Sequence, residues 1–143
     1  MGQALSRSES REVAFRLIFA LGQHTVLDET AWALALDGKV APAPEQKYIT
    51  DLLTKFSAEQ TAIDESIVAH LQKWTLDRLR QTDLAALRLA VAEMLVGNVP
   101  VPVIINEAVS LAKKYGEAQS GAFVNGVLAQ LTEQNGVISN PVK

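Results

Sequence analysis

The sequence predicts an all-α protein, a compact bundle of about seven helices. Two observations carry that prediction. Apolar residues recur at three- and four-residue spacing along most of the chain, and no stretch shows the strict alternation of a half-buried strand. Between Asp83 and Val96, moreover, only Asp83, Arg88 and Glu93 are charged, and no glycine or proline interrupts the run. Leu84, Leu87, Val91, Met94 and Leu95 form one apolar face there, while Ala85, Leu89, Ala92 and Val96 cover much of the other. A helix apolar nearly all round needs other helices about it. This one is too short and too charged to span a bilayer, which takes about 20 apolar residues. It reads as the axle of the fold.

The remaining elements follow in order. A first helix is expected from about Ser8 to Gly22, with Val13, Leu17, Ala20 and Leu21 inward and Phe15, Ile18 and Phe19 widening the face. Its start is poorly marked, because Ser8 with Arg11, or Ser10 with Val13, makes a weak capping box. Asp28 to Leu36 gives a second helix, capped by Asp28 or Thr30, with Trp32, Leu34 and Leu36 facing inward and Asp37-Gly38 ending it. After the Ala41-Pro42-Ala43-Pro44 connector, Tyr48, Ile49, Leu52, Leu53, Phe56, Ile63, Ile67, Leu71 and Trp74 predict one long helix bent near Ser57. Leu76 to Arg80 makes one turn, Thr82 caps the axle, and Gly97-Asn98 stops it. Pro100 and Pro102 hold a corner before a helix carrying Ile104, Ile105, Ala108, Leu111, Ala112 and Tyr115, ended by Gly116. Ser120 caps a last helix with Phe123, Val124, Val127, Leu128 and Leu131, and the tail after Gln134 reads as frayed.

At 143 residues the chain is expected to form a single domain, residues 1–143. There is no cysteine, so thiolate metal sites, disulfides and a cysteine nucleophile are excluded. A formal net charge of −3 argues against a strongly basic nucleic-acid binder but leaves room for a local patch. No apolar N-terminal segment reads as a signal peptide, so the cytoplasm is the default location. Met1-Gly2…Ser6 formally fits a myristoylation pattern, yet nothing beside it supports a membrane anchor. No glycine-rich phosphate loop is present, His24 and His70 share no metal-ligand spacing, and no nucleophile, base and oxyanion donor assemble. No cofactor and no enzymatic activity are expected. Composition and spacing thus give a helical binding module and do not name its ligand.

A set of ordered blocks adds to this reading. They are Trp74-Thr75-Leu76-Asp77-Arg78-Leu79, Asp83…Leu87 to Leu95, Val99-Pro100, Ile105-Asn106-Glu107-Ala108-Val109, Leu111 to Gly116, and Phe123-Val124-Asn125-Gly126-Val127-Leu128. With Ser10 to Phe15 and Leu17-Ile18-Phe19 ahead of them, these blocks resemble the NusB family of bacterial transcription antitermination factors. The likeness is weak only between about Gln23 and Pro44. It implies a seven-helix protein that binds the boxA element of ribosomal RNA leader transcripts together with NusE, a small-subunit ribosomal protein. That complex helps RNA polymerase resist termination. A similar domain begins certain ribosomal RNA cytosine methyltransferases, but this chain stops where their catalytic part would start, so that form is not expected.

Residue by residue, the resemblance implies RNA contacts from Arg7 and Arg11, which match an arginine-rich opening of the first helix. Ser8 and Glu9 stand where better-armed relatives are basic. Arg16 adds a cation, and Phe19 matches a position that is often tyrosine in the family. Gln119, Ser120 and Phe123 match an RNA-facing turn in which Gly121 and Ala122 replace larger or basic residues, and Lys113 and Lys114 are expected nearby. For the NusE surface, Asp77 and Asp83 match acidic positions, with Arg78 and Arg80 alongside. Cations on the backbone and aromatics stacked on bases suit single-stranded RNA. The plainer readings stay open beside these. Phe19 and Phe123 fit a core position, Arg88 suits an ion pair with Glu93 or Glu107, Asp83 suits the helix dipole, and Asn106 and Asn125 suit capping or packing. Gly126 reads as a close helix contact. The rival to the adaptor is a helical interaction module or homodimer without RNA binding.

Overall fold

The computed structural model describes residues 2–71 and 75–134. Among them run seven α-helices: α1 (Arg7–Gly22), α2 (Glu29–Leu36), α3 (Ala43–Ala58), α4 (Gln60–Val68), α5 (Gln81–Val96), α6 (Val101–Tyr115) and α7 (Ser120–Gln134), with a 3-10 turn at Leu76–Arg78 before α5. The expected bundle is therefore present. Trp74 and the tail from Asn135 to Lys143, both used in the sequence reading, lie outside the described residues. No helix among the described residues is long and apolar enough to cross a membrane.

Helix α5 is the axle. Every residue from Asp83 to Met94 is buried, and α1, α3, α4, α6 and α7 all pack against it. Phe15, Leu17 and Ile18 of α1, Ile49, Leu52 and Phe56 of α3, Ile104 of α6 and Val124, Leu128 and Leu131 of α7 close the core around Leu87, Leu89 and Met94. Each such large apolar side chain contributes about 1.5–3 kcal/mol when fully buried. Gly97, in the left-handed region at φ 87°, ends the axle with its N–H on the Glu93 carbonyl.

Several local expectations need correction. Helix α1 starts one residue early, because Ser6 and Glu9 form a complete capping box that replaces the weak ones considered. Thr82 does not cap α5. The helix begins at Gln81 after Arg80, and the Thr82 hydroxyl is buried without a hydrogen-bond partner. The long helix expected from Glu45 is two helices, α3 and α4, broken at Glu59, whose ψ of 19° leaves the helical range. Leu34 is 74% exposed, while its neighbour Ala35 takes the inward place on α2. A Cβ on Gly126 would meet nothing within 4 Å, so this glycine is a solvent-facing position and not a helix contact. Asn106 and Asn125 are likewise exposed.

The three charges of the axle explain how the surrounding helices are tied to it. Glu93, 1% exposed, receives both Nε and Nη2 of Arg11 from α1 at 2.8 Å, and the Tyr48 hydroxyl of α3 donates to it at 2.6 Å. Arg88 donates twice to Asp64 of α4, each bond 2.9 Å long, which replaces the Glu93 or Glu107 partner considered from sequence. Asp83 has only the long 4.0 Å approach of Arg80, and its Oδ1 is buried without a partner. Two of the three charges fasten neighbouring helices; the third opens onto a cleft.

Candidate nucleic-acid and partner interface

Side chains of α1 and α6 meet in a polar seam, in the same order along both helices. Ser8 donates to Glu107 at 3.1 Å near one end. Midway, Glu12 accepts from Lys114 at 2.7 Å, from Arg16 at 3.1 Å and from the Tyr115 hydroxyl. The Phe15 ring lies 4.8 Å from that of Tyr115 and seals the seam from below. From Ser8 to Arg16 the seam extends about 12 Å at the helical rise of about 1.5 Å per residue.

The expected RNA residues fall into different situations along it. Arg7 is half exposed, with a bidentate pair to Glu45 at 2.9 and 3.1 Å and its guanidinium 4.1 Å above the Tyr48 ring. Arg11 is 4% exposed and clamped by Glu93, with Glu107 3.1 Å away. The resemblance implied a phosphate contact for Arg11; its burial withdraws it from the surface, because the Glu93 and Glu107 carboxylates already take its donors. Arg16 is also largely spent on the protein, donating to the Ala35 carbonyl at 2.6 Å and to Tyr115 at 3.1 Å. Phe19 is partly buried against the core. Lys113 and Lys114 are exposed, and the alkyl stem of Lys113 lies across Gly121, where a Cβ would fall 2.9 Å from its Cε.

At the far end, α6 hands over to α7 through a tight turn. Gly116 is needed there, since a Cβ would fall 2.7 Å from the Ala112 carbonyl. Ser120 is buried and its hydroxyl accepts the Glu117 N–H at 3.0 Å, so it braces the turn and does not face a ligand directly. This turn and the segment before α5 enclose an open cleft of about 520 Å³, lined by Arg78, Leu79, Arg80, Asp83, Glu117, Ala118, Gln119, Ser120 and Phe123. The structure thus brings Gln119, Ser120 and Phe123 of the expected RNA set against Arg78, Arg80 and Asp83 of the expected partner set. Asp77 points elsewhere, accepting from the Thr75 hydroxyl outside the cleft. Arg80 bridges the two lips, 2.8 Å from Glu117.

Electrostatics follow the pairing. The Arg7 guanidinium, with the Ser10 hydroxyl, holds the Glu45 carboxyl below its usual range. Burial pushes Glu12 up, but Lys114, Tyr115 and Arg16 outweigh it and the net direction is down. Lys39 and the Ser6 backbone lower Glu9 to about 2. Burial, reinforced by Glu93, raises the Tyr48 phenol, so it remains a hydrogen-bond donor.

Sequence reasoning missed the carboxylates that neutralise these cations. Glu12 carries a visible signal, its four-residue spacing from Arg16. Glu45 and Glu117 carry none, because their partners lie far along the chain.

Fold and surface together define a class: helical-bundle proteins built on one buried central helix, with a charged seam and an open end cleft. Residues 8–133 match the model of the NusB family. The "Transcription antitermination protein NusB" of Macrococcus caseolyticus is 35% identical, covering 89% of this chain and 96% of its own, and that of Geobacillus kaustophilus is 38% identical with 89% and 95% covered. The solved T. maritima NusB superposes with a TM-score of 0.82 at 29% identity, covering 98% of this chain and 96% of its own. A solved structure of the antitermination factors NusB and NusE in complex with dsRNA matches with a TM-score of 0.77 at 27% identity, covering 87% and 94%. The chain belongs to the NusB family.

Proposed function

We propose that this chain is a non-catalytic, cytoplasmic RNA-binding antitermination factor. It takes boxA RNA of ribosomal RNA leader transcripts together with NusE and joins the antitermination complex of RNA polymerase. The carrying observation is the cleft at the α5–α7 end, where Gln119, Ser120 and Phe123 share walls with Arg78, Arg80 and Asp83. Phe123 offers a ring for stacking, worth about 1–3 kcal/mol per base. Arg7 at the α1–α3 edge and Lys113 and Lys114 on α6 supply phosphate contacts, and Arg16 and Phe19 act as supports. Asp83 sets a negative charge in the cleft wall, its Oδ2 4.0 Å from Arg80, and that charge suits a basic partner such as a ribosomal protein.

With so few available cations, RNA binding is weak for the chain alone, with a salt slope near −0.7 per phosphate contacted. Titrating labelled boxA RNA with and without purified NusE, at two salt concentrations, tests this. Tight binding without NusE overturns the partner dependence, and no binding with NusE overturns the RNA role. Asp83 is 7% exposed, so charge reversal there would also disturb folding, and Asp83→Asn is the cleaner probe. It is expected to lower NusE capture by about tenfold or more, since a lost charged partner costs about 2–5 kcal/mol, while the melting temperature stays nearly fixed. Parallel loss of both overturns the assignment. Exposed Val26 and Leu34, 76% and 74%, favour a homodimer as the second reading, which a sizing column with and without boxA RNA decides.

A further inference from the structure

The geometry points to Glu12 and Glu45 as internal counter-ions that occupy the phosphate-binding cations of the free protein and set how weakly it holds RNA. This rests on the RNA-binding reading above. Two exposed cations expected to meet phosphate are each already engaged by a carboxylate of the same chain: Arg7 by Glu45 in a bidentate pair, and Lys114 by Glu12 at 2.7 Å. Both carboxylates are mostly covered, with 16% of their side chains exposed, and both are held from behind. Ser10 donates to Glu45 at 2.7 Å, and Tyr115 donates to Glu12. Arg7 and Lys114 are the exposed halves, with 49% and 60% of their side chains open to solvent. An arriving phosphate therefore turns the cation outward and leaves the carboxylate where it stands.

Such an exchange has a thermodynamic signature. RNA releases condensed cations when a lysine or arginine takes a phosphate, and this release produces the salt slope. Here each cation leaves a carboxylate behind, which draws a salt cation back from solution. The net release is smaller, so both affinity and salt dependence are reduced. Removing the carboxylate's charge removes the competitor and the cation uptake together.

The test compares wild type, Glu45→Gln, Glu12→Gln and Glu65→Gln, the last an exposed α4 acid that changes net charge equally. Labelled boxA RNA is titrated onto each in the presence of NusE, over a salt series. Glutamine keeps a hydrogen bond to Arg7 or Lys114, and matching circular dichroism melts confirm folding. Glu45→Gln and Glu12→Gln are each expected to tighten binding by about two- to fivefold, the range of an exposed ion pair, and to steepen the salt slope. Adding Arg7→Gln to Glu45→Gln should erase the gain. Equal gains in Glu65→Gln, unchanged slopes, or weaker binding in Glu12→Gln and Glu45→Gln overturn the inference while the RNA reading stands. No RNA binding by wild type overturns both.

Discussion

Arg7 and Arg11 stand one helical turn apart on α1, and each faces a carboxylate in a two-bond grip. Arg11 with Glu93 and Tyr48 lies in the interior, whereas Arg7 with Glu45 lies at the edge. Burial alone separates their roles. Inside, two charges have left water and are held by each other, with Glu107 and the Tyr48 hydroxyl beside them, so the group dictates how α1, α3 and α5 meet. Outside, water and salt compete for the same groups, and the pair is exchangeable. One sequence signal, an arginine early in a helix, therefore has two opposite outcomes.

The sharpest way to break this contrast is Glu93→Ala. It leaves the buried Arg11 guanidinium with Glu107 alone and the Tyr48 hydroxyl with no acceptor, and should cost about 3 kcal/mol or more in urea unfolding. A loss below about 1 kcal/mol would mean that the interior pair is no stronger than the outer one. Replacing Arg11 by Met and Glu93 by Leu together should recover part of the loss, since no buried lone charge remains while the Tyr48 hydroxyl still lacks its acceptor. Next in size, Asp64→Ala should cost about 2 kcal/mol, because Arg88 retains partial access to solvent. The smallest effect belongs to Glu45→Gln, below about 1 kcal/mol and fading in molar salt. Its acid behaviour gives a second check. The Arg7 guanidinium holds the folded Glu45 carboxyl below the usual carboxylate range, so its contribution is present above that range and lost as pH falls through the folded value. Wild type should therefore lose more stability between neutral and acid pH than Glu45→Gln does, in paired thermal melts.

The axle was legible because its signal is local. An almost uninterrupted apolar run admits few positions other than the middle of a bundle, and α6 and α7 follow from the same periodicity. The charged partners were not legible. Glu93 lies 82 residues from Arg11 and Glu45 lies 38 from Arg7, and no spacing rule connects them. Thr82 looked like a cap because threonine often is one, yet the chain enters the helix two residues earlier. Leu34 looked inward because the amphipathic pattern of a short helix tolerates a rotation that hides Ala35 instead. At the site, composition marked the cations of the seam but not the carboxylates across from them. The turn that joins Phe123 to Asp83 exists only in three dimensions.

Ahead of α1, Val40 donates to the Gln3 carbonyl at 2.8 Å and receives the Leu5 N–H at 2.9 Å, while Lys39 pairs with Glu9 at 2.7 Å. Gly2 presses so closely on the Gly38–Lys39 backbone that a Cβ there would sit 3.3 Å from the Lys39 Cα. This short parallel bridge clasps the leading segment to the α2–α3 connector and fixes the angle at which the first helix sets out. A purification tag or fusion joined ahead of Gly2 would lever against that clasp and, through Lys39 and Glu9, against the capping box that starts α1. Carrier sequences belong at the opposite terminus.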